Sequence, residues 1–378
     1  MRRRAPALID ALDQVHIAET EEEREAVFRF RYSVYVEELG RKLGNADHRT
    51  RHVHDVEDDR PYTTLLYTAD DDELTGTIRV RRWGGGEVPE KDWDTFSMDR
   101  FEGLGELGTA ELGRLMIRPD HRGQLGIVSI ACALYQLGAT ELDIDVAFLN
   151  CATGLVRHYR LLGFRPYAGK LVPTPDGIEV PLVLFPCDRD YLEQTGSFLT
   201  PFVEVFYGPG GKAPIELARY ASLLDADSAP VQVDPTAVWD RVDRLRASVG
   251  RQPQMLDRLT GETVRKLADK GFLMNVPAGE LLTEKGLYQQ EIFVILDGAF
   301  EVRDGDRRLR VIGRGDVIGE VGFFGTSGRR SASVTAQTEG QVLVLRRHFL
   351  DQLRSNDPAC AAEILFELAR ALADRVPV

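Results

Sequence analysis

One short segment of the chain places a carboxylate, arginines and serines around a glycine-rich apolar turn: GEVGFFGTSGRRSASV, residues 319–334. Gly319 lacks a side chain, so the backbone there can approach a ligand closely. Arg330 can pair bidentately with two phosphate oxygens, and Ser331 adds a hydroxyl. Glu320 only accepts hydrogen bonds, which suits a sugar hydroxyl. The segment therefore predicts a compact pocket for a ribose and a phosphate.

This segment resembles the phosphate-binding cassette of cyclic-nucleotide-binding domains, and the resemblance extends over about residues 252–378. It implies that Glu320 meets the ribose, that Arg330 neutralises the cyclic phosphate and that Arg329 faces outward. The effector would be cAMP or cGMP. The implied cyclic-nucleotide-binding residues are Gly319, Glu320, Val321, Arg330 and Ser331.

The closing helix predicted over Pro358–Val376 would cover the base, with Leu368 and Leu372 as contacts. Two alternatives remain open at this point. In the first, the cassette is vestigial and serves as the dimerisation module of a homodimer. In the second, Glu320 and Arg330 simply pair with each other, which stabilises little at an exposed position.

A second group of residues points to acyl transfer. RPDHRGQLG, residues 118–126, predicts a turn before a helix, where backbone amides can cradle a phosphate. NCATGLVRHYRLLGF, residues 150–164, resembles the closing motif of GNAT-type acyltransferases. In that family the strand bearing the asparagine splays from its neighbour to admit the acyl thioester, and the tyrosine protonates the departing thiolate.

The GNAT resemblance implies catalytic roles for Asn150 and Tyr159. The alternative for Tyr159 is an aromatic core residue in an amphipathic helix. The acyl-thioester contacts that the resemblance implies are Ile117, Arg122, Gly123 and Gly126.

Three further segments are similar to autoinducer synthases and the related N-acyl amino acid synthases: FRFRYSVYVEELG (28–40), TGTIRVR (75–81) and AELGRLMI (110–117). The similarity implies that Glu111 holds or deprotonates the amine. The implied acceptor-binding residues are Arg31, Arg79 and Arg114.

The alternative is an arginine–carboxylate network that only orders the acidic segment Asp55–Asp59. A regular strand would also place Glu111 and Arg114 on opposite faces, so that one of them would be structural.

Two departures from these families bear on the choice of acyl donor and on the product. Leu125 and Ile127 replace the small residues usual in the GNAT phosphate loop, which argues against a tightly held coenzyme A pyrophosphate. The resemblance implies an acyl carrier protein or acyl-CoA as the donor. The tryptophan that accompanies homoserine-lactone synthesis is missing near Arg41, so that activity is not supported.

The bulk composition excludes several classes of function. The chain has 378 residues and a formal net charge of −13, which argues against binding nucleic acid or an anionic membrane. No apolar run reaches the ~18 residues that a membrane span needs. Asp10 and Asp13 interrupt the basic N-terminus, which therefore does not read as a secretory signal.

The cysteines form no C-x-x-C pair, which fits reduced core thiols in a cytoplasmic protein. They are Cys132, Cys151, Cys187 and Cys360. A local group of histidines fits a solvated loop rather than a metal site, because no acidic or thiol partner has ligand spacing. It consists of His48, His52 and His54.

Strands alternating with helices in the first half predict an α/β domain, whereas short, glycine-punctuated strands after about Leu273 predict an all-β roll of jelly-roll type with flanking helices. Helices are expected over residues 15–36, 121–142, 153–164 and 358–376, and strands over 63–70, 74–83, 111–117 and 145–150. The predicted domains are a GNAT-like acyltransferase at 1–190, a partly helical connector at 191–250 and a cyclic-nucleotide-binding domain at 251–378.

The two halves together predict an N-acyltransferase that moves an acyl group from a thioester to an amine, under control of a cyclic nucleotide. The synthase-like motifs favour an amino acid as the acceptor. The alternatives are a cyclic-nucleotide-regulated protein lysine acetyltransferase and a non-catalytic sensor of nucleotide and acyl thioester.

Overall fold

A computed structural model describes residues 15–41, 43–70, 73–84, 87–122, 126–152, 155–174, 177–225, 229–247, 255–287, 291–325 and 328–373. The chain divides into two compact units. The first takes Met1–Asn150, His158–Arg165 and Pro181–Ser222, and the second takes Cys151–Arg157, Pro166–Val180 and Leu223–Val378. The boundaries expected at residues 190 and 250 stay predictions.

The N-terminal half is built on one mixed sheet. Its strands and those of a small hairpin are β1 Val15–Ile17, β2 Ala46–Asp47, β3 His52–Val53, β4 Thr63–Asp70, β5 Glu73–Trp83, β6 Thr109–Ile117, β7 Val146–Ala152, β8 Arg165–Pro166, β9 Val172–Thr174 and β10 Gly177–Leu184. The eight-stranded sheet has the order β1–β4–β5–β6–β7–β10–β8, with β9 on β10. Strands β6 and β7 are parallel, whereas β4, β5 and β6 are antiparallel to one another in turn.

Helices of the same half are α1 Glu21–Tyr32, α2 Glu90–Thr95, α3 Gly126–Thr140, α4 Val156–Leu161, α5 Arg189–Gln194 and α6 Thr200–Tyr207. Helix α1 begins at a capping box. The Thr20 hydroxyl accepts the Glu23 N–H at 3.2 Å, and the Glu23 carboxylate accepts the Thr20 N–H at 2.9 Å. The helix continues into a π-helical segment at Ser33–Glu38, which carries Tyr35.

Strand β6 is irregular in two places. Its register against β5 shifts between Thr77 and Arg79, and Arg114 there has a φ of 57°, in the left-handed region. Its parallel pairing with β7 covers Thr109–Glu111 in the described part of the chain, although β6 runs on to Ile117. The bulge re-aims a side chain, and the short pairing leaves a gap between two strands.

The second unit is a β-roll flanked by helices. Its strands are β11 Val231–Gln232, β12 Phe272–Val276, β13 Leu281–Thr283, β14 Glu291–Asp297, β15 Phe300–Asp304, β16 Arg307–Ile312, β17 Val317–Ile318, β18 Ser333–Ala336 and β19 Gly340–Arg346. A five-stranded sheet, β11–β12–β19–β14–β17, and a four-stranded sheet, β13–β18–β15–β16, make up the roll.

The helices of this unit are α7 Pro235–Ala247, α8 Met255–Arg258, α9 Gly261–Lys270, α10 Glu320–Phe324, α11 Arg347–Asn356 and α12 Pro358–Ala373. Apolar residues of these helices and of the five-stranded sheet share one buried cluster, which includes Val264, Val294, Phe323, Ile364 and Leu368. The short helix α10 and the closing helix α12 therefore pack into the same core.

The expected strands and helices agree with the structure apart from their ends, except at residues 15–17, and several further elements, such as α2, α9 and α11, were not predicted. Val15–Ile17 forms a strand rather than the start of a helix. This strand pairs with β4, and Ile17 lies opposite Leu66. Helix α11 was not predicted, since its sequence follows a strand directly and its N-cap, Arg346, makes no side-chain capping bond.

Candidate functional site

The side chains of β5 and β6 create a charged cluster on one face of the sheet. Arg81 lies opposite Glu111 and Arg79 lies opposite Gly113, and cross-strand partners share a face. Glu111 Oε2 accepts the Arg81 Nε–H at 2.8 Å, and its Oε1 lies 3.7 Å from Arg79 Nη2. A Cβ at Gly113 would collide with the Glu111 carboxylate, so glycine keeps that position open.

Carboxylates from outside the sheet complete what we name the arginine–carboxylate cluster. It consists of Arg31, Asp55, Asp58, Arg79, Arg81, Asp92, Glu111 and Arg114. Asp92 binds Arg81 through both oxygens, at 2.9 and 2.7 Å. Asp55 lies 3.1 Å from Arg79 and also accepts the Arg114 Nε–H at 2.7 Å. The segment before β4 is thereby tied to β5 and to β6, the strand that carries Glu111.

Arg31 is the most deeply placed member of this cluster. It is 0% exposed, and its Nη1 lies 2.7 Å from Asp58 Oδ2, which is equally buried. Among the described residues, Arg31 Nε and Nη2 and Asp58 Oδ1 have no hydrogen-bond partner. Burial raises the pKa of Asp58, but the charge and hydrogen bond of Arg31 outweigh it and hold that pKa below 3.8. An incoming carboxylate could reach Arg31 only by displacing Asp58.

Arg114 differs from Arg31 in its access to solvent. Its side chain is 28% exposed, against 8% for Arg79. The left-handed backbone at Arg114 turns the side chain toward Asp55 and Tyr35, whose ring centroid lies 5.6 Å from the guanidinium. The opposite-face expectation for Glu111 and Arg114 is therefore wrong, because the bulge removes the strict alternation between them.

Strand β7 carries the asparagine of the GNAT-like motif, and helix α4 carries its tyrosine. Asn150 lies on β7, and its buried Oδ1 has no hydrogen-bond partner among the described residues. Tyr159 is half-buried on α4, with its ring 5.9 Å from that of Phe164 in an edge-to-face contact. Tyr159 thus has both an aromatic packing contact and a partly exposed side chain.

The turn after β6 carries the expected acyl-thioester contacts. Arg122 donates from Nε to the Ile117 carbonyl at 3.0 Å and from Nη2 to Glu38 at 2.7 Å. Gly126 begins helix α3, whereas Gly123 and Leu125 lie outside the described residues. Arg122 is therefore anchored to the end of the π-helical segment.

In the second unit, the segment 319–331 brings an arginine and a glutamate into the roll. Arg330 is 3% exposed and Glu320 is 1% exposed. Arg330 donates from Nη2 to the Glu291 carbonyl at 2.8 Å and lies 5.4 Å from the ring centroid of Phe293. Burial lowers the pKa of Arg330 to about 10, although the charge of Glu291 raises it in part.

Gly319 makes room for this arginine. It has a φ of 95°, and a Cβ there would collide with the Arg330 guanidinium. Two backbone bonds fix the other end of the segment: the Arg330 N–H donates to the Leu287 carbonyl, and the Gly286 N–H donates to the Arg330 carbonyl, both at 2.9 Å. Position 330 is thus held by its neighbours on both sides.

Several other residues of the segment are exposed. Arg329 is exposed and donates from Nη1 to the Gly286 carbonyl at 2.7 Å. Ser331 is exposed, and Val321 is 45% exposed. Leu368 of the closing helix is fully buried in the core, whereas Leu372 is half-buried. Of these two leucines, Leu372 is the one open to a ligand as the structure stands.

The described residues contain no group of three or more histidine, cysteine or acidic side chains arranged to hold a metal. Within the same residues, no helix is long and apolar enough to cross a membrane. The cysteines are free thiols, and burial raises the pKa of Cys132 to about 11.

Comparison with known proteins identifies both halves of the chain. Residues 26–188 match the family described as N-acyl amino acid synthase FeeM, and residues 273–357 match the cyclic nucleotide-binding domain. The chain therefore contains one region similar to N-acyl amino acid synthases and another similar to cyclic nucleotide-binding domains, and the fold class predicted from the sequence is confirmed. The synthase domain supports an acyltransferase.

Three relatives each match a part of the chain. The chain is 25% identical to the Pycsar effector protein BcPycTIR of Burkholderia cepacia over 35% of its own length and 46% of that protein. It is 30% identical to PaPycTIR of Pseudomonas aeruginosa over 22% and 27%. The matches thus span less than half of either relative. The structure of FeeM from uncultured soil microbes is 18% identical, with a TM-score of 0.40, over 50% of this chain and 97% of that one.

Sequence reasoning missed Arg81 and Asp92 as members of the cluster and treated Asp55–Asp59 only as a segment. Arg79 and Arg81 are two residues apart on a strand, and this spacing could have placed both on one face. No comparable signal marks Asp92, which is distant in the sequence and binds Arg81 only in the folded chain.

Proposed function

We propose that the protein is an N-acyltransferase that joins an acyl group from a thioester to the amine of an amino acid, and that binding of a cyclic nucleotide controls the rate. The observation that carries this proposal is the presence of both matched domains in one chain. The charged residues Glu111 and Arg114 in the first unit and Glu320 and Arg330 in the second support it.

The first unit supplies groups for both ends of an amino acid. Arg114 is the accessible arginine of the cluster and suits the acceptor carboxylate, to which a guanidinium binds bidentately. Glu111, whose side chain is 11% exposed, receives the amine as a hydrogen-bond acceptor or a base. Arg31 and Arg79 then hold Asp58 and Asp55 in place.

The reaction forms an amide bond and breaks the bond between the acyl carbon and sulfur. The amine loses a proton and attacks the thioester carbonyl, and backbone N–H groups beside the gap between β6 and β7 stabilise the oxyanion. Tyr159 gives its proton to the departing thiolate, and Asn150 lines the gap. Arg122, at the mouth of the neighbouring turn, meets the phosphate of the donor arm.

The donor is an acyl carrier protein or acyl-CoA. Because Arg122 is bound to Glu38, a donor phosphate must compete with that ion pair. Leu125 and Ile127 in the loop sequence favour the carrier protein.

The second unit supplies a site for a cyclic nucleotide such as cAMP or cGMP. Arg330 is buried and positively charged, so a phosphate beside it gains a charge-assisted hydrogen bond in a weakly screened setting. Glu320, Gly319 and Val321 suit the ribose side, and Ser331 suits the phosphate. The two curated relatives are named effector proteins, and we carry that role over: the nucleotide is the input and acyl transfer is the output.

Product analysis by mass spectrometry tests this function. The full chain is incubated with amino acids and with acyl groups carried on carrier protein or coenzyme A, with and without cAMP, cGMP, cCMP or cUMP. We expect an N-acyl amino acid whose rate of formation changes with one nucleotide. Glu111→Gln, which keeps an oxygen acceptor but not a base, is the inactive control.

Other products distinguish the alternatives. Acylation of lysine in an added protein, with no acylated amino acid, would favour a protein acetyltransferase. Binding of thioester and nucleotide with no product at all would favour a sensor. A rate that no nucleotide changes would leave the enzyme and remove its regulation.

A further inference from the structure

Arg157 belongs neither to the candidate acyl-transfer residues nor to the candidate nucleotide-binding residues, yet its guanidinium makes several hydrogen bonds. Its Nε donates to the Val233 carbonyl at 3.0 Å and its Nη2 donates to the Gly271 carbonyl at 3.0 Å. Its Nη1 donates to the Asp269 carbonyl. Arg157 itself belongs to the second unit, and its guanidinium binds three backbone carbonyls of that same unit.

Two of these carbonyls lie at the C-terminal end of α9, which is the negative end of the helix dipole and attracts a cation. Gly271 ends the helix by donating its N–H to the Leu267 carbonyl at 2.6 Å. A Cβ at Gly271 would lie 2.9 Å from Leu343 and 2.7 Å from the Leu267 carbonyl, so the chain is tightly packed there. Arg157 thus binds a well-fixed helix end.

The other end of α9 is bound to the closing helix α12. Glu363 accepts the Thr260 N–H at 2.5 Å and the Thr260 hydroxyl at 3.0 Å, and it also accepts the hydroxyl of Thr263. Lys266 lies 2.5 Å from Asp357, immediately before α12. Ten residues of helix, roughly 15 Å at 1.5 Å per residue, connect these bonds to Arg157.

The closing helix is in turn packed against the nucleotide segment. Phe323 of α10 lies in the same core cluster as Ile364 and Leu368 of α12. Because packed cores shift as units rather than deform continuously, a movement of α10 is passed to α12.

Arg157 also lies two residues before Tyr159 on helix α4. The chain leaves the second unit at Arg157 and enters the first at His158. A shift of α9 therefore acts, through Arg157, on the first turn of the helix that carries the candidate acid.

We propose that Arg157 is a positioning residue that couples the nucleotide segment to acyl transfer, through α12, α9 and helix α4. This inference rests on the proposed function. It predicts that loss of Arg157 uncouples the two activities while each is retained. The nucleotide still binds and acyl transfer still proceeds, but nucleotide binding no longer changes the rate of acyl transfer.

The experiment compares the wild type with Arg157→Ala and Arg157→Lys in the full chain. For each, we measure the ratio of kcat with and without a saturating nucleotide, the nucleotide Kd by calorimetry, and the melting temperature. Coupling between sites is typically about 5- to 150-fold, and we expect Arg157→Ala to bring that ratio to less than about 2. The Kd should stay within about 2-fold of wild type, as expected when coupling rather than contact is lost. His158→Ala, at an exposed neighbour on the same helix, should keep the wild-type ratio.

A second variant tests the other end of α9. Glu363→Gln should also lower the ratio, and the double variant should lose no more than Arg157→Ala alone, because both lie on one path. Additive losses, or an Arg157→Ala ratio equal to that of wild type, would overturn the inference. A wild-type enzyme that transfers acyl groups without responding to any nucleotide would overturn it as well. A wild type that makes no acyl product would instead overturn the proposed function.

Discussion

Arg31 and Arg330 are almost equally buried, at 0% and 3% exposure, yet their surroundings differ. Arg31 is bound to a buried carboxylate, Asp58, at 2.7 Å. Arg330 donates to the backbone carbonyl of Glu291 at 2.8 Å and lies over the ring of Phe293. The described contacts of the first arginine thus include a carboxylate, whereas those of the second include a neutral carbonyl and an aromatic ring.

We propose that one residue type serves stability in one unit and binding in the other. A buried ion pair is costly to break, because the remaining charge is left uncompensated. Burial lowers the pKa of Arg330 to about 10, and in the proposed function a phosphate beside it gains a charge-assisted hydrogen bond. The following predictions test that contrast.

The largest effect is expected from Asp58→Leu, which leaves Arg31 buried without its carboxylate. We expect the unfolding free energy to fall by about 3–5 kcal/mol, measured by urea denaturation. Asp59→Ala is the matched control, since Asp59 is 61% exposed and its ion pair with Arg24 should contribute at most about 1 kcal/mol. Equal losses in the two variants would show that Arg31 does not depend on its partner.

The next effect is on nucleotide binding. Arg330→Ala removes the buried charge and should weaken binding by about 2–5 kcal/mol, or about 25-fold and more in Kd. Calorimetry with the nucleotide that binds wild type measures this. Arg329→Ala, at the exposed neighbour, should bind almost as wild type, and an equal loss in both would mean that the buried arginine has no special role.

A smaller effect on nucleotide binding is expected from alanine at Gly319, and a second glycine variant separates backbone strain from a steric clash with Arg330. Gly319→Ala and Gly279→Ala both place alanine at a positive φ, 95° and 84°, so each should lose about 1–2 kcal/mol of stability. Only position 319 has Arg330 in the path of a Cβ, whereas nothing lies within 4 Å at 279. Nucleotide binding should therefore weaken in Gly319→Ala and persist in Gly279→Ala. Calorimetry on both variants checks this, and equal binding would count against the close fit.

The smallest effect appears in the pH dependence of stability. The pKa of Asp58 lies below 3.8 in the folded chain, because Arg31 outweighs the effect of burial. Its contribution is complete above pH 3.8 and is lost as the pH falls through the lowered pKa. Melting curves recorded between neutral pH and strong acid should show a shallower acid decline for Asp58→Asn than for wild type. Parallel declines would assign acid unfolding to other groups.

Much of the architecture could be predicted from local sequence. The strands at 63–70 and 74–83 alternate or run apolar between turn residues, and their bounds agree closely with Thr63–Asp70 and Glu73–Trp83. The short strands separated by glycines after Leu273 likewise predicted the β-roll. In both halves, the pattern that forms each element is contained within the element itself.

The site was harder to predict because it depends on contacts between distant segments. A regular strand would place Glu111 and Arg114 on opposite faces, whereas the bulge at Arg114 brings both into the same cluster. No residue in the local sequence predicts an arginine in the left-handed region. Asp55 and Asp92 bind arginines 24 and 11 residues away, which only the folded sheet brings near. The roles of Asn150, Tyr159 and the phosphate-loop residues stay predictions.

The short pairing of β6 with β7 has a consequence for donor choice. Beyond the last pair, at Glu111 and Phe148, no further pairing joins the described residues of the two strands, and we propose that their main-chain groups receive the amide-bearing arm of a thioester donor. On this proposal, a carrier protein and a nucleotide carrier that present the same arm satisfy those groups equally. Discrimination between the two carriers would then rest on the surface around Arg122 and Glu38, where a few substitutions could exchange one carrier for the other without changing the reacting groups.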